Sequence, residues 1–247
     1  MGLAGVEKSA NPLDAITAPK RKRVKGGRRT AAVEAWSPAI VADYARIAEN
    51  ERAWREGRGG KALAWTGGSI LVRLMWQAAV DSTDAIVFNK AEHLVTRKLV
   101  TRGDRDEWIP VERGTPGGVV GVDFNRGKTD VAAFIPLSAD LVRDIDNNGG
   151  LWFVMDPAGL PYRPFLDDAR LRRHMNTLRK YAVAAGAEHR VFDHLRHSAA
   201  TDAEQCGFEL DDVRHLTTHK SADMLRNIYA QKSAKKTVEI QRARGII

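Results

Sequence analysis

The chain has 247 residues and carries 39 Lys or Arg against 31 Asp or Glu, which gives a net charge of +8. Its hydrophobic content of 43% is that of a globular protein and excludes a disordered chain. One cysteine, Cys206, excludes an intrachain disulfide and a thiolate zinc site. The positive charge favours a polyanionic partner, nucleic acid before an acidic membrane.

Residues 1–36 are predicted to be a basic tail or linker, and residues 37–247 a folded domain. Residues 1–35 hold eight Lys or Arg residues against three acidic ones, so over half of the excess charge lies there. The basic block comprises Lys20, Arg21, Lys22, Arg23, Lys25, Arg28 and Arg29. Two interpretations stay open: a solvated linker, or an arm that lies along DNA phosphates.

Two helices are predicted in the first part of the domain. The first spans 37–56, with Ser37 as its cap and Pro38 at its first position. The second covers about 66–88 and is interrupted near residues 81–83, where three small polar residues favour a cap or turn. The six tryptophans are predicted to lie in the core.

The periodicity changes over residues 94–137. Two β-rich runs, 119–122 and 131–135, flank a polar turn at 125–130 that contains Gly127 and Lys128. This pattern predicts an antiparallel hairpin, which Pro136 closes. Residues 101–118 are predicted to be a long polar loop.

The rest of the chain is predicted to be helical. Asp167 caps a helix that Gly186 ends, and another helix runs from about His194 to Cys206 with Gly207 as its stop. A short helix covers 210–216, and a last one begins at Ser221. The predicted fold class is therefore mainly α with a small antiparallel β-sheet (α+β). No segment has the length of a membrane span or the apolar core of a signal peptide, so a cytoplasmic protein is expected.

Four residues form a pattern that suggests chemistry. Arg196 lies in Phe-Asp-His-Leu-Arg-His, His219 lies in Leu-Thr-Thr-His-Lys-Ser, and Tyr229 follows one helix later. Lys128 lies in the predicted hairpin turn, before the strand end Ile135-Pro136-Leu137. These motifs resemble those of the tyrosine recombinases, the phage-type integrases. The N-terminal segment also resembles the link between that family's core-binding and catalytic domains.

The resemblance implies a tyrosine recombinase-like catalytic domain at 37–247. In that family a tyrosine attacks a DNA phosphate and forms a 3′-phosphotyrosyl link, which stores the bond energy for rejoining without ATP. By resemblance Tyr229 is the nucleophile, Arg196 holds the phosphate, His219 supports it, and Lys128 is the general acid. Lys220 is carried over as a DNA contact. The implied partners are double-stranded DNA and further copies of the chain in a synaptic tetramer, with no cofactor, metal or membrane.

Two departures from the family pattern concern activity. The family's first arginine lies in a Thr-Gly-x-Arg-x-x-Glu/Asp turn, and the matching position here is Asp81, or Ser82 in a shifted register. Arg73 lies about two helical turns too early to replace it. The family's His-Asp-Leu-Arg has become Asp193-His194-Leu195-Arg196, so His194 enters the site only if it swings in. An aspartate in place of an arginine would repel the phosphate.

Each of these residues also has a plainer interpretation. Asp193 is more simply a helix cap, His194 a surface or packing residue, and Lys128 a solvent-exposed turn residue. Tyr229 alone would more often be a core or interface tyrosine. Two functions follow: an enzyme that integrates or recombines the DNA of a mobile element, or a DNA-binding relative with impaired catalysis.

Overall fold

The structure is a computed structural model that describes residues 36–56, 67–125, 132–155, 179–186, 194–217 and 237–247. It combines helices with one small antiparallel sheet, so the predicted α+β class is confirmed. Within these ranges no helix has both the length and the apolar character that crossing a bilayer requires.

The first helix is confirmed. Helix α1 spans Pro38–Glu56, and the Ser37 hydroxyl accepts a hydrogen bond from the Ile40 amide at 3.4 Å. Tyr44 of this helix is fully buried and lies edge-on to Trp36 and to Tyr181, with ring centroids 6.1 and 5.9 Å away. This aromatic row fixes α1 on the body of the protein, because large buried rings contribute most to core stability.

The predicted second helix ends earlier than expected. Helix α2 spans Gly67–Gln77, and all but one of its residues are buried. The chain leaves the helix at residue 78, because Ala79 adopts a positive φ of 48°. A single turn of helix, α3, then covers Ser82–Ala85, and α4 covers Lys90–His93. The predicted break is therefore real, but it begins three residues before Asp81.

The sheet has four strands in the order β2-β1-β3-β4, all antiparallel. They are β1 Leu94–Arg102, β2 Arg105–Pro110, β3 Gly118–Asn125 and β4 Ala132–Pro136. The predicted pairing of β3 with β4 is confirmed, and the tip at 126–131 lies outside the described residues. The predicted loop at 101–118 is wrong over its first ten residues, which form the end of β1, a turn through Gly103 and all of β2.

The two faces of the sheet have different environments. Val122, Phe124 and Ile135 are buried in the common core. On the opposite face Trp108 lies edge-on to Phe134 at 4.7 Å, and Arg97 pairs with Asp123 beside them. Of the six tryptophans that were predicted to be core, Trp36 and Trp76 are buried, Trp108 and Trp152 are partly buried, and Trp54 and Trp65 lie outside the described side chains.

Among the residues that the structure describes, five helical elements follow the sheet. Helix α5 spans Ala139–Asn147, α6 the helical residues 179–184, α7 Leu195–Gln205, α8 Leu210–Thr217, and α9 the helical residues 237–243. Helices α7 and α8 confirm the predictions for 194–206 and 210–216. Gly186 and Gly207 have φ values of 74° and 91°, so both end helices as predicted. The predicted helix from Ser221 lies outside the described residues.

Candidate functional site

Two of the predicted catalytic residues, Arg196 and His194, lie within the described residues. Arg196 is in the first turn of α7 and is only 3% exposed, whereas His194 precedes the helix and is partly buried. The other predicted site residues lie outside the described residues: Tyr229, His219, Lys128, Lys220, Lys20, Arg21, Lys22, Arg23, Lys25, Arg28 and Arg29.

Helix α7 directs Arg196 into the protein. Leu195, Ala199 and Ala203 recur at spacings of four and are almost fully buried, as the sequence predicted. Ser198 of the same helix accepts a hydrogen bond from the Trp36 amide at 2.9 Å, which ties α7 to the start of α1. Because α7 is held on both of these sides, the Arg196 side chain has a fixed direction.

Arg196 forms an ion pair with Asp81, the residue that the resemblance to the recombinases places at the first arginine position. The Arg196 Nη1 atom lies 3.3 Å from Asp81 Oδ2, and the two side chains are 4% and 23% exposed. Asp81 stands where an aspartate would usually cap α3, yet its side chain makes no capping hydrogen bond. The carboxylate is therefore directed at the guanidinium and not at its own helix.

The backbone of the turn at 78–81 supports this register. Ala79 has a φ of 48°, a left-handed conformation that favours glycine. In the family motif Thr-Gly-x-Arg, the glycine lies two residues before the arginine, and Ala79 lies two residues before Asp81. In the register that places Asp81 at the arginine position, Ala79 falls at the motif's glycine, and in the register that places Ser82 there it does not.

A second contact ties Arg196 to the end of helix α8. Its Nη2 donates to the carbonyl oxygen of Thr217, which is the last residue of that helix. A guanidinium near a helix C-terminus is favoured by the unpaired carbonyls and by the helix dipole. Arg196 therefore joins the turn at Asp81 to the helix that leads toward His219.

The charge on Arg196 is balanced inside the protein. Two opposite charges 4 Å apart attract by about 4 kcal/mol at an effective dielectric constant of about 20. A phosphate that approached Arg196 would be attracted to the guanidinium by an energy of that order. It would be repelled by the Asp81 carboxylate by an energy of similar size. Between the two side chains, the attraction of an anion to Arg196 is therefore opposed by its repulsion from Asp81.

Arg73 does not replace the missing arginine. Its Nη2 donates to Asp144 Oδ2 of α5 at 2.5 Å, and its Nε donates to the Ser69 carbonyl at 3.3 Å. The contact with Asp144 joins α2 to α5, and the contact with Ser69 lies within α2. The expectation that Arg73 lies too early in the chain to serve the site agrees with this position.

Helix α9 caps the end of α2, next to the turn that carries Asp81. The Gln241 side chain is fully buried and donates to the Gln77 and Pro136 carbonyls at 2.8 and 3.0 Å. Arg244, which follows α9, donates to the Trp76 carbonyl at 2.9 Å and to Asp202 of α7 at 2.8 Å. Burial lowers the pKa of Arg244 from its ordinary value, and the contact with Asp202 opposes that effect.

The sequence reasoning missed Thr217, which contacts Arg196, and Gln241 and Arg244, which contact the end of α2. Each acts through a backbone carbonyl or an ion pair with a residue far along the chain, and helical periodicity carries no sign of such contacts. The chain matches no protein-family model, no curated protein and no solved structure.

Proposed function

We propose that this chain is a tyrosine recombinase-like domain that binds double-stranded DNA and is impaired in strand cleavage. The observation that carries the proposal is the ion pair between Arg196 and Asp81. The resemblance to the recombinases implies that Arg196 holds the DNA phosphate together with a second arginine. Here the second position holds a carboxylate that already neutralises Arg196, so charge that develops on the phosphate would be poorly stabilised.

Three further observations support the family part of the proposal. The small antiparallel sheet follows the first helices, and its β3 and β4 run to either side of Lys128. Ala79 has the positive φ expected at the glycine of the Thr-Gly-x-Arg turn. Asp81 lies against Arg196 across 115 residues of sequence, which is the proximity that two arginines on one phosphate require.

The DNA-binding part rests on charge. The net charge is +8, and most of it is concentrated in the block at Lys20–Arg29. Each phosphate that a lysine or arginine neutralises releases counterions, so such binding weakens steeply as salt rises. The proposed DNA contacts are that block and Lys220, and a tetramer on DNA follows from the same resemblance.

An active recombinase is the second candidate. Arg196, His219 and Tyr229 keep the family's order and spacing, and Lys128 lies in the sequence between the paired strands β3 and β4. In this candidate Tyr229 forms a 3′-phosphotyrosyl link during the integration or exchange of mobile-element DNA. Asp81 would then turn away from Arg196 when DNA binds.

One experiment separates the two candidates. The full chain is incubated with a pool of nicked DNA duplexes of randomised sequence, and DNA binding and covalent adducts are measured on the same samples. We expect binding that falls as salt rises, with almost no adduct. A strong adduct that Tyr229→Phe removes would favour the active enzyme, and an absence of DNA binding at low salt would refute both candidates.

A further inference from the structure

We infer that Gln241 and Arg244 are positioning residues that hold Asp81 against Arg196. Both side chains lie in the C-terminal segment 237–247, and both contact the end of α2 just before the turn that carries Asp81. The inference concerns the arrangement of the protein without DNA. Only the role of the Arg196–Asp81 pair in phosphate binding rests on the proposed function.

The first step is the capping of α2. The last four carbonyls of a helix have no partner within the helix and need other donors when they are buried. Gln241 Nε2 donates to the Gln77 carbonyl, and Arg244 Nη2 donates to the Trp76 carbonyl. The guanidinium of Arg244 also lies 5.0 Å above the Trp76 ring. The C-terminal segment therefore fixes where α2 ends.

The second step is the turn that follows. Ala78 donates its amide to the Leu74 carbonyl at 2.9 Å, and Ala79 then adopts the strained left-handed conformation. Val80 is buried, and the Asp81 carbonyl accepts from the amides of Asp84 and Ala85 at 3.1 and 3.0 Å. Asp81 lies only four positions after Gln77, the nearer of the two capped residues, so a displacement of the α2 end moves Asp81 directly.

The third step is the link to α7. Arg244 Nε donates to Asp202 Oδ2 at 2.8 Å, and Asp202 lies on the helix that carries Arg196. Arg244 is fully buried at its side chain, and its Nη1 donates to the Gln241 side-chain oxygen at 3.1 Å. Arg244 thus holds both the end of α2, which leads to Asp81, and helix α7, which carries Arg196. Lysine cannot make these contacts together, because it lacks the planar, forked donor set.

The test is a double-mutant cycle of Asp81→Ala and Arg196→Met, measured in the wild-type background and in Arg244→Lys. Each substitution changes the equilibrium constant of unfolding by some factor. The coupling factor is the ratio between the change in the double mutant and the product of the changes in the two single mutants. We expect this factor to fall at least about fivefold in Arg244→Lys, because the coupling of a close pair depends on its geometry. Arg113→Lys, which alters an Arg–Asp pair elsewhere, should leave it unchanged. An equal factor in the wild type and in Arg244→Lys would overturn the inference.

A second measurement applies even where Arg244→Lys proves too unstable for the cycle. In Gln241→Met, which keeps the volume and removes the cap on Gln77, hydrogen exchange is followed at the amides of Asp84 and Ala85. We expect both to exchange at least about tenfold faster than in the wild type, with little change at Val142 of α5. A uniform increase at all three amides would mark a merely structural role and would overturn the inference. Both measurements use the protein without DNA, so their failure is separate from failure of the proposed function.

Discussion

Two arginine–aspartate pairs in this protein have the same chemistry and different surroundings. In the buried pair, Arg196 and Asp81 are 4% and 23% exposed at their side chains. In the surface pair, the side chains of Arg113 and Asp146 are 54% and 34% exposed. The two terminal guanidinium nitrogens, Nη1 and Nη2, each donate to one carboxylate oxygen. The hydrogen bond to Asp146 raises the pKa of Arg113 from its ordinary value.

The geometry of an ion pair alone does not determine how much the pair contributes to stability. The surface pair has the better bidentate geometry, yet water and salt screen it, so it contributes about 0–1 kcal/mol. The buried pair has one longer contact, but neither partner can be removed without leaving a charge that water reaches poorly. In the proposed function Asp81 limits the binding of a phosphate at Arg196, whereas Asp146 mainly fastens the loop before β3 to α5.

The largest expected effect is that of Asp81→Ala. Removal of the carboxylate takes a negative charge away from the buried guanidinium of Arg196, which should lower the free energy of unfolding by about 3–5 kcal/mol. Urea denaturation measures the change. Because an oxyanion could then take the carboxylate's place, inorganic phosphate at about 100 times its dissociation constant should restore about 2.7 kcal/mol. A loss below about 1 kcal/mol, or equal restoration by chloride, would contradict this account of the pair.

The matched control is Asp146→Ala. Its side chain is more exposed than that of Asp81, so the free energy of unfolding should fall by no more than about 1 kcal/mol. The loss should shrink further in 1 M salt, where the Debye length is about 3 Å. The same denaturation series, run at low and high salt, checks both statements. A loss as large as that of Asp81→Ala would remove the distinction between the two pairs.

The smallest expected effect concerns the turn that carries Asp81. Ala79→Gly removes the left-handed strain of about 1–2 kcal/mol but gives up a buried methyl group and adds backbone freedom to the unfolded chain. The net result should be a gain of about 0.5 kcal/mol in the free energy of unfolding. Thermal denaturation of the two proteins gives the comparison, and a clear loss of stability would mean that the methyl contacts outweigh the strain.

Much of the fold followed from the sequence because its signals are local. The spacing of Leu195, Ala199 and Ala203 predicted α7, and the β-rich runs beside Lys128 predicted the pairing of β3 with β4. The hairpin of β1 and β2 was missed because charged residues occupy both of its faces and hide the alternation. The end of α2 at Gln77 was missed because Ala79 gives none of the signal that a glycine gives at a left-handed position.

For the candidate site, the sequence indicated the residues but not the contacts between them. The resemblance identified Arg196 and placed Asp81 at the family's arginine position. It did not predict that these two side chains contact each other, because 115 residues separate them in the chain. The caps from Gln241 and Arg244 act on the backbone carbonyls of α2 across more than 160 residues, and such contacts have no pattern in sequence.

The most direct test of the central claim compares the wild type with Asp81→Arg on the pool of nicked DNA duplexes. The measurement is the amount of covalent adduct per molecule of bound DNA. A second arginine beside Arg196 restores a charged contact to the phosphate, and one such contact is worth about 10²–10³ in rate. We expect at least about 100-fold more adduct in Asp81→Arg than in the wild type, all of it lost when Asp81→Arg is combined with Tyr229→Phe. Equal and abundant adduct from the wild type would contradict the account.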